Sequence, residues 1–105
     1  MLNQIVLVGR LVQDPEIKEL ENGNKTSYIT LVVPRSFKNT DGIYENDFIT
    51  CKVGYPMCDN VKKHCEKGDL VGIKGRVTKL NNEDLEIVAE KVTFLSKRKE
   101  EKNGK

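Results

Sequence analysis

Along the first dozen residues two apolar series interleave. Ile5, Leu7, Gly9 and Leu11 alternate with Val6, Val8, Arg10 and Val12. A strand that is apolar on both faces is one covered on both faces. The pattern fits a core on one side and a partner subunit on the other. Asp14-Pro15 and Glu21-Asn22-Gly23-Asn24 then supply turn chemistry. Ser27–Val33 predicts a second strand, with Ile29, Leu31 and Val33 on one face and Tyr28, Thr30 and Val32 on the other. Pro34 ends that strand or confines it to an edge. Lys38–Gly42 is a polar hairpin loop. Tyr44–Val53 predicts a third strand, with Ile49, Cys51 and Val53 on its core face. Gly54-Tyr55-Pro56 breaks the strand, and Met57–Glu66 predicts a short helix closed by Lys67-Gly68. Val71, Ile73, Gly75 and Val77 face inward on a fourth strand; Gly72, Lys74, Arg76 and Thr78 face out. After the Asn81–Asp84 turn, Leu85–Leu95 predicts a fifth.

Five strands with one short helix between the third and fourth match an all-β fold, the five-stranded Greek-key barrel of the oligonucleotide-binding (OB) type. Such barrels bind ligands on the face of strands 2 and 3 and the flanking loops. The expected domain is 1–96. Residues 97–105 carry no apolar side chain and predict a basic, mobile tail.

The outward face of the third strand carries Tyr44, Phe48 and Lys52 beside Asn46 and Thr50. Single-stranded nucleic acid needs rings to stack on bases and cations to meet phosphates. Packing under a loop or in a subunit interface fits the same rings. Five of the six aromatic residues (Tyr28, Phe37, Tyr44, Phe48, Tyr55) lie between 28 and 55, and there is no Trp.

Charge sharpens the picture only regionally. The 105 residues have a net charge of +2, which excludes a strongly basic nucleic-acid arm and an acidic disordered chain. Residues 35–79 hold 9 bases against 6 acids, whereas 80–96 hold 1 against 4. The first residues show no signal-peptide pattern, and no apolar run is long enough to span a bilayer. Cys51, Cys58 and Cys65 are an odd number, which argues against a disulfide framework and for a reduced, cytoplasmic setting. Their spacing, even with His64, is not that of a zinc site. Cys58, Val61 and Cys65 instead form a buried helical stripe, with His64 solvated. One His, no Walker loop and no nucleophile elbow leave no assembled catalytic site. Gly72-x-x-Gly75 lies within a strand and reads as small residues for close packing.

Several ordered blocks then carry a resemblance. Met1–Glu16 (M-L-N-Q-I-V-L-V-G-R-L-V-Q-D-P-E), Gly23, Val33–Asn39 (V-P-R-S-F-K-N), Asp47–Cys51 (D-F-I-T-C), Asn60-Val61 and Lys67–Val77 stand at matching spacing. Over 1–96 the chain resembles the bacterial single-stranded DNA-binding protein family. Its length is most similar to the small Gram-positive competence-type paralogues. The resemblance implies a homotetramer of barrels that coats single-stranded DNA without sequence preference or catalysis. No metal or other cofactor is implied. Replication, recombination or DNA uptake would be its setting.

Phe37 and Phe48 match two of the family's stacking positions, and Tyr55 is a third candidate. The candidate phosphate contacts are Arg35, Lys52, Lys67, Lys74 and Arg76, for each of which a solvated side chain is the plainer reading. Where relatives carry an aromatic at the end of the third strand this chain has Gly54, and its last hairpin has Asn81-Asn82. Each missing stack removes about 1–3 kcal/mol, so weaker binding is expected than for a fully aromatic relative. The family's acidic tip has no match in the basic residues near 105, so recruitment through such a tip is not expected. A protein-interaction barrel with secondary nucleic-acid binding is the competing reading.

Overall fold

The computed structural model describes residues 1–98. Their elements are β1 (Ile5–Leu11), β2 (Ile17–Glu19), β3 (Lys25–Lys38), β4 (Tyr44–Gly54), α1 (Met57–His64), β5 (Leu70–Lys79) and β6 (Leu85–Ser96). The sheet runs β1-β5-β6-β4-β3-β2, and β1 also pairs with β3, which closes a five-stranded barrel. The all-β barrel expected from alternation is therefore present, with α1 between its third and fourth long strands. Among the described residues no helix is long and apolar enough to cross a membrane.

Closure depends on one crowded crossing. β1 pairs with β5 from Ile5↔Gly75 to Arg10↔Leu70, and with β3 at Arg10↔Val32 and Leu11↔Leu31. Where it passes from one neighbour to the other it carries Gly9. A Cβ there would stand 2.5 Å from the Val32 carbonyl oxygen and 3.2 Å from the Leu31 Cβ. Only a residue without a side chain fits. Gly75 plays the same part between β5 and β6, where a Cβ would collide with the Val88 carbonyl beside a break in register.

The core is the inward series of each strand: Leu11, Ile29, Leu31, Cys51, Val53, Val71, Ile73 and Ala89. Helix α1 plugs one end with Cys58 and Val61, and Cys65 follows them inward just past the helix. Those three thiols are free and buried, and burial pushes Cys51 up to about 11. They pack as small apolar groups, as the helical stripe predicts. His64 is exposed.

Two local readings are corrected and one is narrowed. β2 is missed by pattern because three residues between two turns cannot establish a period. Of the two readings of Pro34 the edge position holds: β3 runs through it, opposite Asn46, with a register shift before Lys38. β3 has no second neighbour there, so the missing N–H of proline costs no ladder bond. The helix stops at His64, because Cys65 turns to extended backbone with its N–H still on the Val61 oxygen. Gly68 (φ +90°) is instead the third residue of a Glu66–Asp69 turn, where a positive φ suits glycine.

The same corner anchors the end of β6. The wholly buried Asp69 carboxylate accepts from the backbone N–H groups of Glu66 and Arg98, each at 3.0 Å. Lys97 Nζ lies 3.4 Å from Glu66. Of the tail expected over 97–105, Lys97 and Arg98 are thus tied to this turn, and 99–105 lie outside the described residues.

Gly9→Ala is expected to lower stability by about 1–3 kcal/mol through overpacking at the crossing. A urea titration should show a lower midpoint with an unchanged slope.

Candidate nucleic-acid interface

Alternation along β3 and β4 builds an outward face in cross-strand pairs. Tyr28 stands opposite Lys52, Thr30 opposite Thr50, Val32 opposite Phe48 and Pro34 opposite Asn46. Paired residues of an antiparallel ladder share a face, so these side chains form two adjoining files. The two threonine hydroxyls meet at 2.8 Å in the middle. Phe48 is 66% exposed and is not part of the buried core cluster, and Phe37, on the far part of β3, is 82% exposed. Arg10 extends the Val32–Phe48 row onto β1, where its Nη1 donates to the Gly68 carbonyl.

Tyr55 joins this face by a route that strand alternation does not give. β4 ends at Gly54, so the ring is freed from the strand's phase. It lines a hollow of about 280 Å³ with Lys52, Lys25 and Gly54. Gly54 is open: a Cβ there would meet nothing within 4 Å. Three tyrosines each carry a lysine ammonium near the ring centroid: Lys18 on Tyr28 at 5.8 Å, Lys25 on Tyr55 at 5.6 Å and Lys38 on Tyr44 at 5.6 Å. Tyr28, Lys18, Lys25 and Lys38 were not singled out from sequence as site residues. The signal that finds them is register, since Tyr28 falls opposite Lys52 only once β3 and β4 are paired.

The expected cations do not share one place. Lys52 is on the face. Its parallel neighbour Val88 is in turn opposite Arg76, so a row runs Tyr28–Lys52–Val88–Arg76 across four strands. Arg76 donates to Glu90 at 3.0 Å. Lys74 lies between Val6 and Lys91, on the β1–β5–β6 wall. Lys67 is in the α1–β5 turn, where its backbone N–H donates to Asp14. Neither Lys67 nor Lys74 is brought beside Phe48.

Arg35 belongs to the opposite surface of the β3–β4 ribbon. Its Nε and Nη2 donate to the two Asp47 oxygens at 3.1 and 3.0 Å, and Nη1 is 3.2 Å from Glu45. The hydrogen bond and charge of Arg35 hold the Asp47 carboxyl below its usual value, and Asp47 raises Arg35 in return. Among the described residues no group of three or more His, Cys, Asp or Glu is placed to hold a metal.

Comparison with known proteins adds a second line of observation. Residues 2–95 match the model of the single-strand binding protein family. The chain is 36% identical to Single-stranded DNA-binding protein B of Bacillus subtilis, with 97% of each chain covered. It is 41% identical to the Single-stranded DNA-binding protein of Halalkalibacterium halodurans, covering 99% of this chain and 67% of that one. It is likewise 41% identical to Single-stranded DNA-binding protein A of Bacillus subtilis, of which it covers 63%.

Replacing Arg35 by Gln should let the Asp47 carboxyl rise back toward its ordinary value near 3.8. The ion pair is therefore complete at neutral pH and lost only as pH falls through the lowered value. A carbon-detected NMR titration of the Asp47 carboxyl in both proteins checks the direction.

Proposed function

The chain belongs to the single-strand binding protein family, and we propose on that footing that it is a non-catalytic coat for single-stranded DNA, blind to sequence. Replication, recombination, repair or DNA uptake in a bacterial cytoplasm is the setting this reading implies. The observation that carries it is the β3–β4 outer face, where exposed Phe48 shares one surface with the Tyr28–Lys52 pair, the Thr30–Thr50 pair lying between them. Every base offers a π-face, so exposed rings bind without reading sequence, and ammonium groups between them meet the phosphates. Phe48, Phe37 and Tyr55 are proposed as the stacking residues. Lys52 is the central phosphate contact, with Arg76 reached along the same row. Lys67 and Lys74 are proposed as outlying contacts for a strand that continues round the barrel.

The proposed assembly is a homotetramer. Its support is β1, whose outward Val6 and Val8 are 63% and 47% exposed in the single chain. Apolar side chains in such a row on a paired strand favour cover by another protein surface. Light scattering should return four times the 11.9 kDa chain mass; a monomer mass at micromolar concentration refutes the assembly.

Binding of a dT oligonucleotide should weaken steeply with salt. Phe48→Ala should cost about 1–3 kcal/mol, and Gly54→Trp, which places a ring in open space beside Lys52, should gain a similar amount. Fluorescence-anisotropy titrations at matched salt measure both. Equal affinity for Phe48→Ala and wild type overturns the stacking role.

A further inference from the structure

Where β3 and β4 leave the barrel they continue as a two-stranded arm, and its back surface changes chemistry abruptly. Inside the barrel the inward pairs are apolar, Ile29 with Cys51 and Leu31 with Ile49. The next pair is Val33 with Asp47, and beyond it come Arg35 and Glu45. No core remains there to hold the arm straight. A chain of polar contacts runs along it instead.

Arg35 grips Asp47 with two hydrogen bonds and reaches Glu45 with its third nitrogen. Glu45 accepts from Asn39 Nδ2 at 2.9 Å. Asn39 Oδ1 in turn accepts from the backbone N–H groups of Asp41 and Ile43, at 2.9 and 3.0 Å. The chain therefore extends from the rim of the barrel to the tip of the loop. An isolated exposed ion pair contributes little, but a two-pronged arginine grip within a connected network is the exception.

This arm carries Phe37 and Tyr44, and Phe48 stands at its base. We propose that Arg35, Asp47, Glu45 and Asn39 form a polar spine that holds these rings in place, so that Arg35 serves strand binding as a positioning residue and not as a phosphate contact. The inference rests on the binding function proposed above and reassigns one of the phosphate contacts expected from the sequence. All three guanidinium nitrogens of Arg35 already face carboxylates, on the ribbon surface away from Phe48. A spine fixed before binding spares the strand the cost of ordering the rings itself.

The reassignment makes an unusual demand. Removing a negative charge near DNA ordinarily strengthens binding. Here Asp47→Asn should weaken it, by roughly three- to tenfold, the ordering cost of one or two side chains. Arg35→Gln should weaken it equally, without changing the slope of log K against log salt. The double variant should be no weaker than either single one. Asp41→Asn, which removes a carboxylate outside the spine's side-chain contacts, should bind as tightly as wild type or tighter. The probe is a fluorescent dT oligonucleotide at several salt concentrations, with thermal melting to confirm that each variant is folded. A slope flattened by about 0.7 in Arg35→Gln marks a lost phosphate contact and overturns the proposal. Tighter binding by Asp47→Asn, or losses that add in the double variant, overturns it too.

A second readout needs no DNA. Backbone order parameters over 36–44 should fall in Arg35→Gln relative to wild type. Unchanged order overturns the spine even if binding is lost. Reduced order in Arg35→Gln, with no binding by wild type, leaves the spine standing and refutes the binding function instead.

Discussion

The architecture hangs on β1 being shared. A single seven-residue strand must pair with β5 along its length and still reach β3 at its end, or the sheet stays open. The approach is so close that the Val32 carbonyl takes the place a side chain would occupy on Gly9. Once that seam is shut, β3 and β4 have no freedom of phase. Ile29, Leu31, Cys51 and Val53 are fixed inward, and Tyr28, Val32, Phe48 and Lys52 are therefore fixed outward. A slip of one residue in β4 would bury Lys52 and expose Cys51. The proposed binding face is thus a by-product of closure.

Two kinds of order coexist in the same pair of strands. Within the barrel, apolar contacts on the inner surface hold the ribbon; beyond it, charge and amide contacts take over. The change falls near Pro34, where β3 loses its second neighbour and the register shifts. A hydrophobic continuation would have left an apolar flank on a protruding arm, whereas the Arg35–Asp47–Glu45 group keeps that flank wetted. The division leaves the front of the arm free for rings.

Much of this was legible in the sequence because a strand half buried in a core writes its phase into the chain. Ile49, Cys51 and Val53 against Phe48 and Lys52 is such a record, and it placed Phe48 outward without any relative's help. The first strand likewise announced its double apolar character. What stayed hidden depends on pairing, which no single strand encodes. That Tyr28 meets Lys52, that Lys74 sits between Val6 and Lys91, and that Arg35 faces two acids are facts of register and of a local shift in it. Tyr55 was a stacking candidate from the sequence, but its side was not legible for a related reason: past the end of β4, alternation no longer says where a ring goes. β2 and the early end of α1 were lost because three residues, or one turn of helix, are too short to be told from noise by period.

Rings as exposed as Phe37 and Phe48 carry a hazard for the unliganded protein. An arm with both edges unpaired in the single chain and apolar side chains is the kind of surface on which β-rich chains stick together. The lysines at Tyr28, Tyr44 and Tyr55 bear on that hazard. Each sets a solvated charge against a ring that would otherwise join a neighbouring chain, and it can do so without lowering the ring's availability to a negatively charged strand. The surface proposed to attract a polyanion would thus repel its own copies, and solubility and affinity would rise from the same few ammonium groups.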